Sequence, residues 1–178
     1  MRKNFVVRKI VFSGLMLAVA FLLPFLTGQI PQVGSMLLPM HLPVMICGFA
    51  CGWPWGLAVG VIAPLLRSLI MTMPPMFPTA IAMAFELAAY GVVCGLLYAR
   101  FPKRNWMIYA ELIVAMVLGR IVWGIVTWVL MLISGGEFTW GIFMAGAVLN
   151  AVPGIILQIV IVPPIVMLLK KAGFMVND

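Results

Sequence analysis

Charge is what this 178-residue chain has least of: 8% of its residues are Asp, Glu, Lys or Arg, and only four are acidic. Soluble domains carry about a quarter of their residues as charged groups. A folded chain this poor in charge cannot cover a water-facing surface. Its hydrophobic fraction of 65% and mean hydropathy of +1.22 demand lipid as the solvent instead. Catalytic side chains are scarce as well. His41 is the one histidine, the sequence shows no histidine–carboxylate cluster, and neither a Walker loop nor a dinucleotide fingerprint occurs. The pairing of "ISGG" (133–136) with His41 is a very weak serine-hydrolase signal. A non-enzyme without a cofactor is expected. Three cysteines, Cys47, Cys51 and Cys94, lie inside apolar runs. Their odd number argues against a disulfide framework. Cys47 and Cys51 stand one helical turn apart with His41 as the sole nearby ligand, too few for a metal site. They read as small packing residues.

What is present is apolar length. Windows separated by Gly, Pro and charge give six candidate spans, at about 10–27, 37–52, 55–72, 79–100, 106–134 and 141–169. The N-terminus has the basic start of a signal peptide, but its apolar run is long enough to span and no convincing cleavage site follows. It reads as a retained first helix. The expected fold is an all-α, six-helix membrane bundle forming a single domain over residues 1–178.

The net charge of +7 does not mark a nucleic-acid binder, because the basic residues form no groove-like patch. Arg2, Lys3, Arg8 and Lys9 precede the first span, Arg100, Lys103 and Arg104 separate the fourth and fifth, and Lys170 and Lys171 follow the sixth. All fall on one side of a six-span topology, with only Glu137 in the opposite loops. The positive-inside rule makes that side cytoplasmic, so both termini are expected inside. The two longer outer connections, "TGQIPQVGSMLLPMHLP" and "MTMPPMFP", are uncharged and rich in Gly, Pro and Met. Such loops suit segments that fold over the mouth of the bundle, or that rest in the headgroups.

A few polar residues interrupt the spans. Arg67 stands near the outer end of the third and Glu86 about two turns down the fourth. At mid-membrane each would cost roughly 2.5–3.5 kcal/mol to insert, so they either pair with each other or face a wet cavity. Tyr90 follows Glu86 at i+4 and shares its face. Arg120, Trp123 and Thr127 share a face of the fifth span, where an indole beside a guanidinium can stack on a ligand or on that cation. In "GAVLNAVPGI" of the sixth span, Pro153 leaves the carbonyl of Leu149 without its helical donor, beside Asn150. Interrupted helices of this kind are tolerated where they line a cavity. Pro64 repeats the device in the third span. His41, at the outer boundary, reads as an interfacial residue or a ligand contact. Glu111 and Gln158 lie deeper and receive no role. Small residues at four-residue spacing, Gly14 with Ala18 and Gly56 with Gly60, offer flat faces for packing inside the bundle or for a partner subunit. Ser13 and Ala20 add to the flat side of the first helix.

Taken together, "LLPMHLPVMICGFACG", "GLAVGVIAPLLRSLI", "MPPMFPTAIAMAFELAAYG" and "LNAVPGIILQ", within a short six-span chain, resemble the substrate-binding S components of energy-coupling factor (ECF) vitamin transporters. The pantothenate type is the nearest in appearance. The resemblance implies a vitamin held by the outer halves of spans four to six, under the loops after spans one and three. It implies a transmembrane coupling protein and two cytoplasmic ATPases as partners, and residence in a cell membrane, of bacterial type. Toppling of the subunit would deliver the cargo. Gly14 and Ala18 match the family's small-residue docking pattern in the first helix, whereas Leu22 stands where a further small residue is expected. Arg67 or Arg120 would suit the carboxylate of pantothenate, and Asn150 with Glu86 its amide and hydroxyls; Tyr90, Trp123 and His41 complete the expected site. A stand-alone secondary transporter or channel is the rival reading.

Overall fold

In the computed structural model, residues 2–26, 36–136, 139–147 and 149–175 are described. They form α1 (Arg2–Leu26), α2 (His41–Cys51), α3 (Trp53–Met71), α4 (Ile81–Arg100), α5 (Asn105–Ile133), α6 (Trp140–Ala147) and α7 (Val152–Lys171), with no strand among them. Five stretches are long and apolar enough to cross a membrane: Phe5–Phe25, Trp53–Met71, Met76–Arg100, Asn105–Ile133 and Val152–Lys171.

Two of the six expected spans take a form other than one membrane-length helix. The second is an 11-residue helix, all of it buried, with a length of roughly 16 Å against the roughly 30 Å of a hydrocarbon core. A helix that is apolar all round belongs inside a core. α2 accordingly packs against α1, α3, α4 and α7, and Val44, Met45, Cys47 and Phe49 are fully buried. The sixth is two helices, with a tight turn at Leu149–Ala151 between the end of α6 and the start of α7. Pro153 stands in the first turn of α7, where its missing N–H breaks no bond. It marks a helix start, not a flaw within one helix. Pro64, by contrast, does lie inside its helix.

Glycine sets the closeness of the central helices. A Cβ at Gly91 would lie 2.4 Å from the carbonyl of Gly56, one at Gly60 would lie 2.6 Å from the Leu87 carbonyl, and one at Gly48 would lie 2.5 Å from the Gly91 oxygen. The backbones of α2, α3 and α4 therefore touch along this seam. The flat face of Gly56 and Gly60 serves the interior and offers nothing to a partner. In α1 the small residues split between two faces. Ser13 and Ala20 are buried, and the Cys47 thiol donates to Ser13 Oγ at 3.4 Å. Gly14 and Ala18 face outward, with open space beyond Gly14.

The basic clusters meet at one end of the bundle. Cys51 Sγ approaches the Lys9 carbonyl at 3.9 Å, Lys103 lies over the Tyr98 ring at 5.6 Å, and Lys170 donates to the Lys103 carbonyl. Around the outside, α1, α3, α5 and α7 present exposed Val, Leu, Ile and Phe, the surface a lipid-facing bundle needs. Glu137 and residues 27–35 of the first outer connection lie outside the described residues. Met36 onward does pack: Leu38 and Met40 are buried, and the Met36 carbonyl lies 2.7 Å from where a Gly154 Cβ would be. The connection after α3 is largely exposed, with Met73, Met76 and Phe77 on its surface.

Candidate functional site

The site is built on Glu86, 1% exposed on α4. It lies five residues below the start of that helix, roughly 7–8 Å. Its Oε1 receives the Tyr90 hydroxyl at 3.1 Å and Arg120 Nη1 at 2.9 Å, and His41 Nε2 stands 3.5 Å away. The i+4 spacing on α4 brings Tyr90 onto the face of Glu86, as the pattern requires. Gly119 on α5 then makes room for the Tyr90 ring, which comes within 2.6 Å of where a Cβ would sit. The next residue, Arg120, is thereby drawn against α4.

His41 arrives from a third direction. Leu38, at φ 50, bends the chain into the first turn of α2, and its carbonyl accepts the His41 N–H at 3.1 Å. A bulky residue in that conformation is unusual and persists only where packing enforces it; here its side chain lies against Gly154. His41 is fully buried and sits edge-on to Tyr90, with centroids 5.3 Å apart. The interfacial reading of His41 is therefore corrected, because α2 is enclosed by protein and carries its first residue inside.

Arg67 does not meet Glu86. Its Nη1 donates to the Phe21 carbonyl at 3.0 Å and its guanidinium lies 5.5 Å from the Phe25 ring centroid. The expected Arg67–Glu86 alternative is replaced by an Arg120–Glu86 pair, and Arg67 joins α3 to the end of α1. Trp123 turns toward α6, where it faces Phe143 at 6.4 Å and fills the space that a Gly146 side chain would need. Asn150 is exposed on the turn before α7. The structure thus gathers His41, Glu86, Tyr90 and Arg120, while Arg67 and Trp123 make other contacts and Asn150 is exposed.

What the cluster leaves open matters chemically. Arg120 Nε and Nη2 and His41 Nδ1 are buried without hydrogen-bond partners among the described residues, as are Thr127 Oγ1, Glu111 Oε2 and Gln158 Nε2. Buried polar atoms in folded proteins are nearly always paired, so the unpaired nitrogens of Arg120 and His41 make the Glu86 cluster the candidate site among the described residues.

A family model described as ECF transporter, substrate-specific component, matches residues 8–166. The chain belongs to that family. No curated protein and no solved structure matches it. ECF S components are membrane-embedded transporter subunits rather than enzymes, and they work with a substrate and an energy-coupling module. Gly119, which makes room for the Tyr90 ring, is a position that sequence reasoning missed. The signal was there in "GR", a glycine placed immediately before a charge in an otherwise apolar helix. Glu111, 4% exposed, and Gln158, 1% exposed, were visible as polar residues, and no hydrogen bond or ion pair joins them to the cluster among the described residues.

Proposed function

We propose that this S component captures pantothenate from outside the cell, with Arg120 as the residue that grips its carboxylate. The observation that supports this reading is the state of the Arg120 guanidinium. Nη1 is engaged by Glu86, while Nε and Nη2 lack partners among the described residues. Those two nitrogens form one edge of the planar fork, and a carboxylate binds such an edge with two parallel hydrogen bonds. Glu86, Tyr90 and His41 then hold the guanidinium in place and offer contacts to the amide and hydroxyls. Asn150 and Trp123 are proposed at the rim of the same site, and the connections after α1 and α3 as its cover. Arg67 is proposed to act on that cover by holding the end of α1.

In this proposal both termini and the basic end are cytoplasmic, by the positive-inside rule, in the plasma membrane of a bacterium. The outward face at Gly14 and Ala18 docks the coupling protein, which carries two ATPases. The test is calorimetric titration of purified protein with pantothenate and with the corresponding alcohol, which lacks the carboxylate. Two charge-assisted bonds are worth about 3 kcal/mol, so the alcohol is expected to bind about 100-fold more weakly. Arg120→Met should bind both equally and weakly. Equal affinity of the unaltered protein for the two compounds would refute the proposal.

A further inference from the structure

We propose that the groove between the start of α5 and the end of α7 is a binding site for one anionic glycerophospholipid. The inference stands apart from the identity of the transported cargo. The groove, of about 680 Å³, is lined by Asn105, Pro164, Met167, Leu168, Lys170 and Lys171. Its volume falls within the range of about 300–1,000 Å³ typical of ligand sites, so it holds a headgroup and the first methylenes of its chains rather than a lone ion.

Its two ends differ in chemistry. The deeper wall is apolar, and Leu168, 65% exposed, continues into the exposed Val160 and Ile156 along α7. An acyl chain following that wall remains in contact with hydrocarbon throughout. The outer end carries two ammonium groups. The carbonyls at the end of α7 do not consume them, because Gly173, at φ 72, lets the backbone close a Schellman turn: Gly173 N–H donates to Lys170 O and Phe174 N–H to Leu169 O. Lys170 spends one of its donors on the Lys103 carbonyl and retains two. Lys171 is exposed with no partner among the described residues.

The level of the groove fits a headgroup as well. Trp106, 60% exposed, directly follows the lining residue Asn105 in the chain, and exposed tryptophans are enriched at the boundary of a membrane. α5 begins at Asn105 without a side-chain cap, so its first amides add to the positive field there. A soluble anion would use the lysines and leave the apolar wall idle. A zwitterionic lipid would use the wall and gain little from the lysines. Only an anionic lipid uses both, and basic pockets between membrane helices are known to hold such headgroups.

Native mass spectrometry of the purified protein in detergent, without vitamin, tests the proposal. Phosphatidylglycerol and phosphatidylcholine with the same acyl chains are titrated, and inorganic phosphate is added as competitor. One bound phosphatidylglycerol is expected, with occupancy at least tenfold above that of phosphatidylcholine and unaffected by millimolar phosphate. Lys170→Ser with Lys171→Ser should lower that occupancy at least tenfold, whereas Arg8→Ser with Lys9→Ser, the same loss of charge on α1, should not. Lys171→Glu alone preserves every described contact and should also lower it, which guards against a folding defect in the double variant. Equal retention of the two lipids, displacement by phosphate, or undiminished occupancy in both lysine variants would overturn the assignment. So would loss of copurifying ATPase and coupling subunits in those variants with lipid occupancy unchanged, since the groove would then be a protein contact.

Discussion

A carboxylate at 1% exposure inside an apolar bundle is tolerated only while its neighbours answer its charge. Arg120, at 2.9 Å, does so for Glu86 together with Tyr90 and His41, and removing one member of a buried pair leaves the other uncompensated, at a cost of about 3–5 kcal/mol. Replacing both by apolar residues of similar size removes that penalty. Arg120→Met alone and Glu86→Met alone are therefore each expected to destabilise the protein by about 3 kcal/mol, and the double variant by clearly less than the sum. Denaturant unfolding of all four forms in detergent measures the difference, and strictly additive losses would show that the pair is not energetically coupled. The sequence alone named all four members of the cluster but matched Glu86 with Arg67 as the candidate pair. Residue position along a helix gives depth; it does not give the rotation of one helix against another. That rotation is set by Gly119, which lets α5 settle against Tyr90, and by the Phe21 carbonyl, which takes Arg67 away.

Among the helices, the contact of α3 with α4 rests on absent side chains. Gly56 and Gly60 face Gly91 and the Leu87 carbonyl, and Gly95 faces the Trp53 backbone, where a Cβ would lie 2.3 Å from nitrogen. Backbone atoms cannot swing aside as a flexible side chain does, so Gly91→Ala must push two helices apart. Overpacking of this kind costs about 1–3 kcal/mol or more. Gly91→Ala should lower the thermal unfolding midpoint in detergent distinctly, and Gly14→Ala should leave it unchanged, because Gly14 meets nothing. A tolerant Gly91 would mean that the seam is looser than its geometry. Hydropathy located every apolar stretch but misjudged two, for a common reason. It measures how oily a segment is, and it cannot tell whether lipid or other helices surround it. α2 is oily because it is enclosed, and the last apolar stretch is oily on both sides of a turn that Pro153 opens rather than interrupts.

For the molecule as a whole, the distribution of bulk around α1 bears on how an S component meets its coupling module. Val7, Val11, Leu15 and Leu22 protrude from the outward side of this helix, each more than half exposed. Between them Gly14 and Ala18 leave a shallow interval where another helix can approach closely enough for backbone contact. Lipid chains adapt to bumps and gain nothing special from such an interval, whereas a rigid partner helix does. Because the opposite side of α1 already holds α2 through Ser13 and Cys47, a bulky residue at 14 fills the interval without disturbing the bundle. Gly14→Leu is therefore expected to leave the unfolding midpoint and the affinity for substrate as they were, and to cut copurification with a coexpressed energy-coupling module at least tenfold. In proteoliposomes the same variant should bind cargo yet fail at ATP-driven uptake. A complex that survives the substitution would move the docking surface off α1, and uptake by the chain alone would remove the need for a partner.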